Sequence, residues 1–342
     1  MKIAINTNYK SAGTKVCVDD LGHRLEEVGK ELARNDWQNY EKYDLILFMS
    51  PDSDVLQAKK ANPKLLVGLM DPKITKRRIP QVKSADFLLV SSIEQRDFFL
   101  KYNSNIFIYY MFPLIREIVK EHEQKQKIII GYHGNKTHLN CMRELSLSLD
   151  RLSRKYDIEF WAIYNIKSLG MWNRNRPKKC LVKDIQWSED VYSSHLSKCD
   201  IGVIPAKMPV SHRLSKVCSR PRNSFLKNWG NYSQYDYLIR FKYSNNPGRI
   251  YPFSQLHIPV VSDFTPSYCQ IIQDSYSGFL VWSEQGWSDA LEKLIIDQDL
   301  RNKMSKNLKD FIDNNFSPDT NFNKFLEFID KQKTGDISKI SI

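Results

Sequence analysis

Three stretches of this sequence combine residue types able to hold a phosphate-bearing ligand. The first, Ile130-Gly131-Tyr132-His133-Gly134-Asn135-Lys136-Thr137-His138, is a strand pattern ending in a glycine turn that leads towards a helix. Glycine lets a backbone approach a ligand closely, and N–H groups at a helix start favour phosphate; the plainer reading is a tight turn that uses glycine for steric reasons. The second runs from Asn245-Asn246-Pro247-Gly248-Arg249 to Val260-Val261-Ser262-Asp263, with Arg249 at the start of a short helix and a buried strand behind it. An arginine beside helix N–H groups can clamp a diphosphate in bidentate fashion, or simply sit in a surface ion pair. The third, Asp274 to Val281, is a turn at Gly278 before a short strand, equally an ordinary turn or a ligand contact. For acid–base work the candidates are Asp71, which ends the strand Leu65–Met70, and His133. The plainer reading of Asp71 is a helix- or turn-capping residue before Pro72, and lone histidines such as His133 and His138 are more often packed or surface groups. The six cysteines are scattered, with no Cys-x-x-Cys pair and no zinc-type Cys/His spacing, so no metal is expected and the thiols are read as reduced.

Strand-like and helix-like segments alternate around these stretches. Lys2–Asn6, Asp44–Met49, Leu65–Met70, Asp86–Val90 and Asn105–Tyr110 read as short buried strands. Asp20–Asn35 has helical spacing, and Ile93–Tyr102 begins with a good capping signal at Ser92. The charged stretch 115–126 reads as a helix or linker. Beyond it come the strand Lys127–Tyr132, a helix over Met142–Tyr156, a strand at Ile158–Ala162, a short helix at Val191–Ser197, the strand Ile201–Ile204, and a turn and strand in Gln255–Val261. Helices follow over Gly286–Asp297, Leu300–Asn314 and Pro318–Lys331. Unbroken apolar strands alternating with helices imply parallel sheets covered on both faces. We expect an N-terminal domain at 1–115, a linker at 116–126, a second domain at 127–315, and a helix at 316–335 that returns to the first domain.

The chain has 342 residues and a formal charge of +12, which suits a polyanionic partner: nucleic acid, an anionic membrane face or a phosphorylated ligand. Ala206–Arg249 is the most basic stretch, with nine Lys or Arg against Asp236 and with Trp229 and several tyrosines interleaved. It follows the strand Ile201–Ile204, and open α/β sheets bind ligands at the carboxyl ends of their strands. No stretch reaches membrane-spanning length and the start has no signal-peptide layout, so a cytoplasmic protein is expected. The basic surface is compatible with peripheral contact to the inner membrane face. Nucleic acid is disfavoured, because no recognised nucleic-acid module is present.

The order of segments is more specific than any one of them. It resembles the C-terminal half of GT-B glycosyltransferases, above all the bacterial group 1 family that builds surface polysaccharides. The resemblance rests on the glycine turn at Ile130–Asn135, on Gln186-Trp187-Ser188 leading to Asp200-Ile201-Gly202, and on Arg249 followed by Ile258-Pro259-Val260-Val261. Gly278–Val281, Trp287, Leu291, Asp297 and Arg301 continue it. It covers roughly residues 128–315; the N-terminal half is similar only in general architecture. It implies two Rossmann-like domains with parallel sheets facing across a cleft, and a nucleotide-sugar as donor with no further cofactor. Donor-binding positions would be Gly134, Asn135, Lys136, Lys242, Asn246, Gly248, Arg249, Ser262 and Gly278. A saccharide or lipid-linked saccharide would be the acceptor. No metal would be needed, because cationic side chains stabilise the departing diphosphate.

The sequence departs from the family at one point. A pair of glutamates usual there, separated by seven intervening residues, maps onto Ser244 and Pro252, neither of which is a carboxylate. A non-catalytic protein of the same fold that binds a nucleotide-sugar or a partner is therefore the alternative expectation.

Overall fold

The computed structural model describes residues 1–8, 16–49, 53–113, 115–189, 191–207 and 246–334. The chain divides into two compact units: Met1–Val119 with Tyr243–Leu256 and Lys306–Ile342, and Lys120–Lys242 with His257–Ser305.

In the first unit six parallel strands are β1 (Lys2–Asn6), β2 (Glu31–Arg34), β3 (Leu45–Met49), β4 (Leu66–Met70), β5 (Phe87–Val90) and β6 (Ile106–Ile108). Their order across the sheet is β2-β1-β3-β4-β5-β6. Alternate side chains feed two cores. Ile3, Ile5, Leu45, Leu47, Phe87 and Leu89 face one side, and Ala4, Ile46, Phe48, Val67, Leu69 and Leu88 the other. The helix Pro318–Thr334 completes the first core with Phe322, Phe325, Phe328 and Ile329, and Phe328 meets Phe87 edge-on at 5.2 Å.

The second unit repeats the plan with β7 (Lys127–His133), β8 (Asp157–Tyr164), β9 (Leu181–Gln186), β10 (Ile201–Ile204), β11 (Val260–Asp263) and β12 (Phe279–Val281). All pairings are parallel and the order is β12-β11-β10-β7-β8-β9. Counted from its own first strand this is 3-2-1-4-5-6 read from β9, the doubly wound nucleotide-binding order. The helices Arg143–Leu152 and Glu284–Ile296 bury Leu145, Leu149, Trp287, Leu291 and Leu294 against one face.

Several segments differ from their sequence readings. The helix expected over Asp20–Asn35 stops at Glu27, because Gly29 takes a left-handed φ of 72° and the chain turns into the edge strand β2. That strand is charged and only half-buried, so it carries no apolar run. Residues 115–126 form no helix among the described residues. Instead, Lys120 and Lys125 reach the Asp200 carboxylate, Glu123 O accepts from Arg301, and His122 Nε2 lies 2.8 Å from His257 O. The strand Leu181–Gln186 went unassigned, since only one of its six side chains is fully buried.

Candidate functional site

In a doubly wound sheet the ligand crevice opens where strand order reverses, at the carboxyl ends of the two strands that flank the reversal. In the second unit these strands are β7 and β10, so the switch point brings together the turn after His133 and the turn after Ile204.

The end of β7 and the turn after it contain four of the expected residues. Gly134 has a φ of 144°, a conformation L side chains rarely adopt, which explains the glycine. Its N–H donates to Ile163 O at 3.2 Å. Asn135 caps the helix Lys136–Asn140 by accepting the Thr137 N–H at 2.9 Å. Two of the N–H groups expected to face a phosphate are thus used within the fold, and a five-residue helix carries little dipole. What remains for an anion is chiefly Lys136. Its ammonium donates to the carbonyl of Leu169 and lies 3.5 Å from Met171 O, so binding a phosphate means exchanging neutral carbonyls for a charged acceptor. His133 ends β7, buried, with its ring 5.9 Å from Tyr192, which in turn lies 5.9 Å from Trp187. This aromatic row borders the switch point. Trp187 was visible in the sequence motif; Tyr192 was not, because only the short helix Tyr192–Leu196 turns it towards His133.

Across β10, Ser262 is fully buried on β11 with its hydroxyl donating to Ile204 O at 3.3 Å. The next residue, Asp263, escaped the sequence reading. Its Oδ2 accepts the N–H groups of Ala206 and Lys207, and burial pushes its carboxyl up to about 6. The one local signal is an acid that ends an apolar strand. Gly278 lies elsewhere: it precedes β12 level with Val260, at the amino end of the strands. A Cβ there would come within 3.0 Å of the Val260 carbonyl, so the glycine serves packing. Lys242 falls outside the described residues, as does most of the basic stretch, 208–245.

The remaining candidates belong to the first unit. Asn246 caps the turn Pro247–Arg249 through Gly248 N at 3.0 Å, and its Nδ2 donates to Met111 O at 3.1 Å. A side chain on Gly248 would come within 2.6 Å of the same carbonyl. Arg249 follows, half-buried, at the start of the helix Ile250–Gln255, whose Tyr251 stacks on Phe112 at 4.7 Å. Asp71 stands at the carboxyl end of β4 with a left-handed φ of 43°. It caps no helix. Its oxygens receive Lys73 Nζ at 2.8 and 2.7 Å and Gln95 Nε2 at 3.0 Å, and Gln95 is fixed by the Ser91 N–H. A backbone outlier holding a carboxylate at a strand end is a feature found at active sites.

Among the described residues no group of three His, Cys, Asp or Glu side chains could hold a metal ion, and no helix is long and apolar enough to cross a membrane. By sequence, the chain matches no family model and no curated protein. Its fold, however, is shared over nearly the whole length with solved structures. HepE of Anabaena, in complex with UDP and glucose, is 12% identical with a TM-score of 0.61, over 97% of this chain and 100% of that one. Sucrose-phosphate synthase of Thermosynechococcus elongatus is 9% identical, with a TM-score of 0.63 over 98% and 99% of the two chains. T4 phage BGT, in complex with UDP and Mn2+, is 14% identical, with a TM-score of 0.56 over 96% and 100%. With its two six-stranded parallel sheets, this chain shares the GT-B fold of these proteins.

Proposed function

We propose that this protein is a glycosyltransferase that moves a sugar from a nucleotide-sugar donor to a hydroxyl of a saccharide or lipid-linked acceptor, in bacterial surface polysaccharide synthesis. The observation that carries the reading is the 3-2-1-4-5-6 strand order of the second unit, with the Gly134–Lys136 turn at its switch point. It is supported by the fold shared with HepE, which is solved in complex with UDP-glucose.

In the reaction the acceptor oxygen bonds to the anomeric carbon, the bond from that carbon to the diphosphate breaks, and the nucleoside diphosphate leaves. Stabilising the negative charge that develops on the leaving group is the main demand, and Lys136, Arg249 and Lys242 are the cations assigned to it. Asp71 and His133 are the candidate bases; in a transfer with retention the departing phosphate can accept the proton instead. We read the transfer as independent of metal, which activity unchanged by a chelator and by added Mn2+ would support. The protein is placed in the cytoplasm, with peripheral contact to anionic lipid where the acceptor is lipid-linked.

The test is a thermal-shift screen against UDP, GDP, CMP and dTDP sugars, repeated with Arg249→Ala and Lys136→Ala. Stabilisation by one donor that is lost in the variants supports the reading; a protein indifferent to all four classes overturns it. One observation favours a second reading, a binder without turnover: the helix Ile250–Gln255 contains no carboxylate and has Pro252 where the resembled family places one. Donor binding without donor hydrolysis or transfer would decide for it.

A further inference from the structure

Asp263 is 2% exposed at the carboxyl end of β11. Its Oδ2 holds the N–H of Ala206 at 2.6 Å and of Lys207 at 3.2 Å, the two residues just past the loop out of β10. Its Oδ1 is buried and, among the described residues, has no hydrogen-bond partner. Lys207 extends the connection. Its carbonyl lies 3.3 Å from Nδ1 of His138, on the short helix that follows the Gly134–Lys136 turn. Its ammonium meets Glu144 at 3.0 Å and Trp282 O at 3.2 Å, 4.1 Å from the Trp282 ring centre. A continuous line of bonds thus runs from Asp263 through the backbone at 206–207 to the segment that carries Asn135 and Lys136.

We propose that Asp263 is a positioning residue of the nucleotide-sugar site, whose carboxylate fixes the Ala206–Lys207 turn and, through His138, the segment bearing Lys136. The proposal rests on the transferase reading for what binds there, and on the hydrogen bonds alone for what Asp263 holds. Backbone N–H groups need only a neutral acceptor, which an asparagine of the same shape supplies at lower desolvation cost. A buried carboxylate with an oxygen left over is therefore a poor choice for stability alone, and points to a use for its charge. Among the described residues the charged side chains facing it are Lys207, from the turn it holds, and Glu144, from the helix Arg143–Leu152; the first favours the carboxylate and the second opposes it.

The experiment uses the full chain as wild type, Asp263→Asn and Asp263→Ala. It reads amide hydrogen exchange at Ala206 and Lys207 and the affinity for UDP-glucose, whose diphosphate does not titrate near neutrality, between pH 5 and 8. In the Ala variant both amides should exchange at least tenfold faster while those of β1 are unchanged, and the affinity should fall more than tenfold. The Asn variant should keep the amide protection but bind several-fold more weakly than wild type at pH 7.5, with the wild-type acid inflection gone. Unchanged protection in the Ala variant overturns the proposal. So does an Asn variant with wild-type affinity and inflection, which decides the matter alone where the Ala variant does not fold. A wild type that binds no nucleotide-sugar counts against the transferase reading instead, and amide exchange then decides the positioning role by itself.

Discussion

The second sheet buries one carboxylate near each of its ends, and the two are treated in opposite ways. Asp200, just before β10, is 1% exposed; it accepts the Ile129 N–H at 3.0 Å and Lys125 at 2.8 Å, with Lys120 at 3.4 Å. Burial alone would raise its carboxyl, but the two ammonium groups and the N–H bond outweigh that and hold it below the usual range. Asp263, at the opposite end, is as deeply buried yet, among the described residues, receives only backbone N–H groups on one oxygen, with Lys207 shared with Glu144, and burial wins. The amino end is thus closed by opposite charge, and the carboxyl end, where the switch point lies, keeps a negative group that no ion pair among the described residues compensates. Equal burial with unequal satisfaction separates a device that holds the linker at 120–126 from a group left available to a site.

The comparison is sharpened most by Asp200→Asn. Removing this charge leaves Lys120, itself only 14% exposed, without its anion. The loss in a denaturant titration should be about 3 kcal/mol. Asp263→Asn should go the other way, gaining on the order of 1–2 kcal/mol at pH 8, because the N–H acceptor survives and the costly charge is gone. If both substitutions destabilise equally, the contrast between the two ends fails. A smaller effect is expected at Asp71, the carboxylate at a strand end of the first unit. Its pairing with Lys73 is partly solvent-exposed, so Asp71→Asn should cost only about 1 kcal/mol. A loss of transfer far larger than that loss of stability would mark Asp71 as a catalytic group.

How far the sequence revealed these features follows from where their signals lie. Strands such as Leu45–Met49 and Ile201–Ile204 are buried on both faces, so each is an unbroken apolar run that can be read directly. Glu31–Arg34 and Leu181–Gln186 lie on sheet edges, half in solvent, and their mixed residues mimic helix or loop. The Gly134 turn was legible because glycine at a strand end is a local requirement. Asp263 was not: its special state comes from N–H groups 56 and 57 residues away and from burial by other elements, neither of which leaves a trace in spacing. The same holds for Tyr192, placed beside His133 only by the tertiary fold.

The finest test of the comparison is pH. Asp263 has a folded-state value of about 6 against an ordinary 3.8, so the folded protein binds the extra proton between these limits. Its contribution to stability is therefore full below the ordinary carboxylate range and is lost as pH rises through 6. His122 acts in the opposite sense. Burial pulls it down to about 4, and its Nε2 donates to His257 O, which requires only the neutral ring. Stability from this histidine is present above about 6.5 and is lost as pH falls towards 4. In the wild type the two slopes oppose each other between pH 4 and 6, each at most about 1.4 kcal/mol per pH unit. Asp263→Asn should uncover the His122 slope, with stability falling as the solution is acidified through this window. His122→Gln should uncover the Asp263 slope, with stability rising on acidification. Denaturant midpoints at half-unit steps would show it, and a His122→Gln variant whose midpoint falls on acidification, as that of Asp263→Asn should, would mean that the carboxyl end of the sheet is as fully compensated as the amino end.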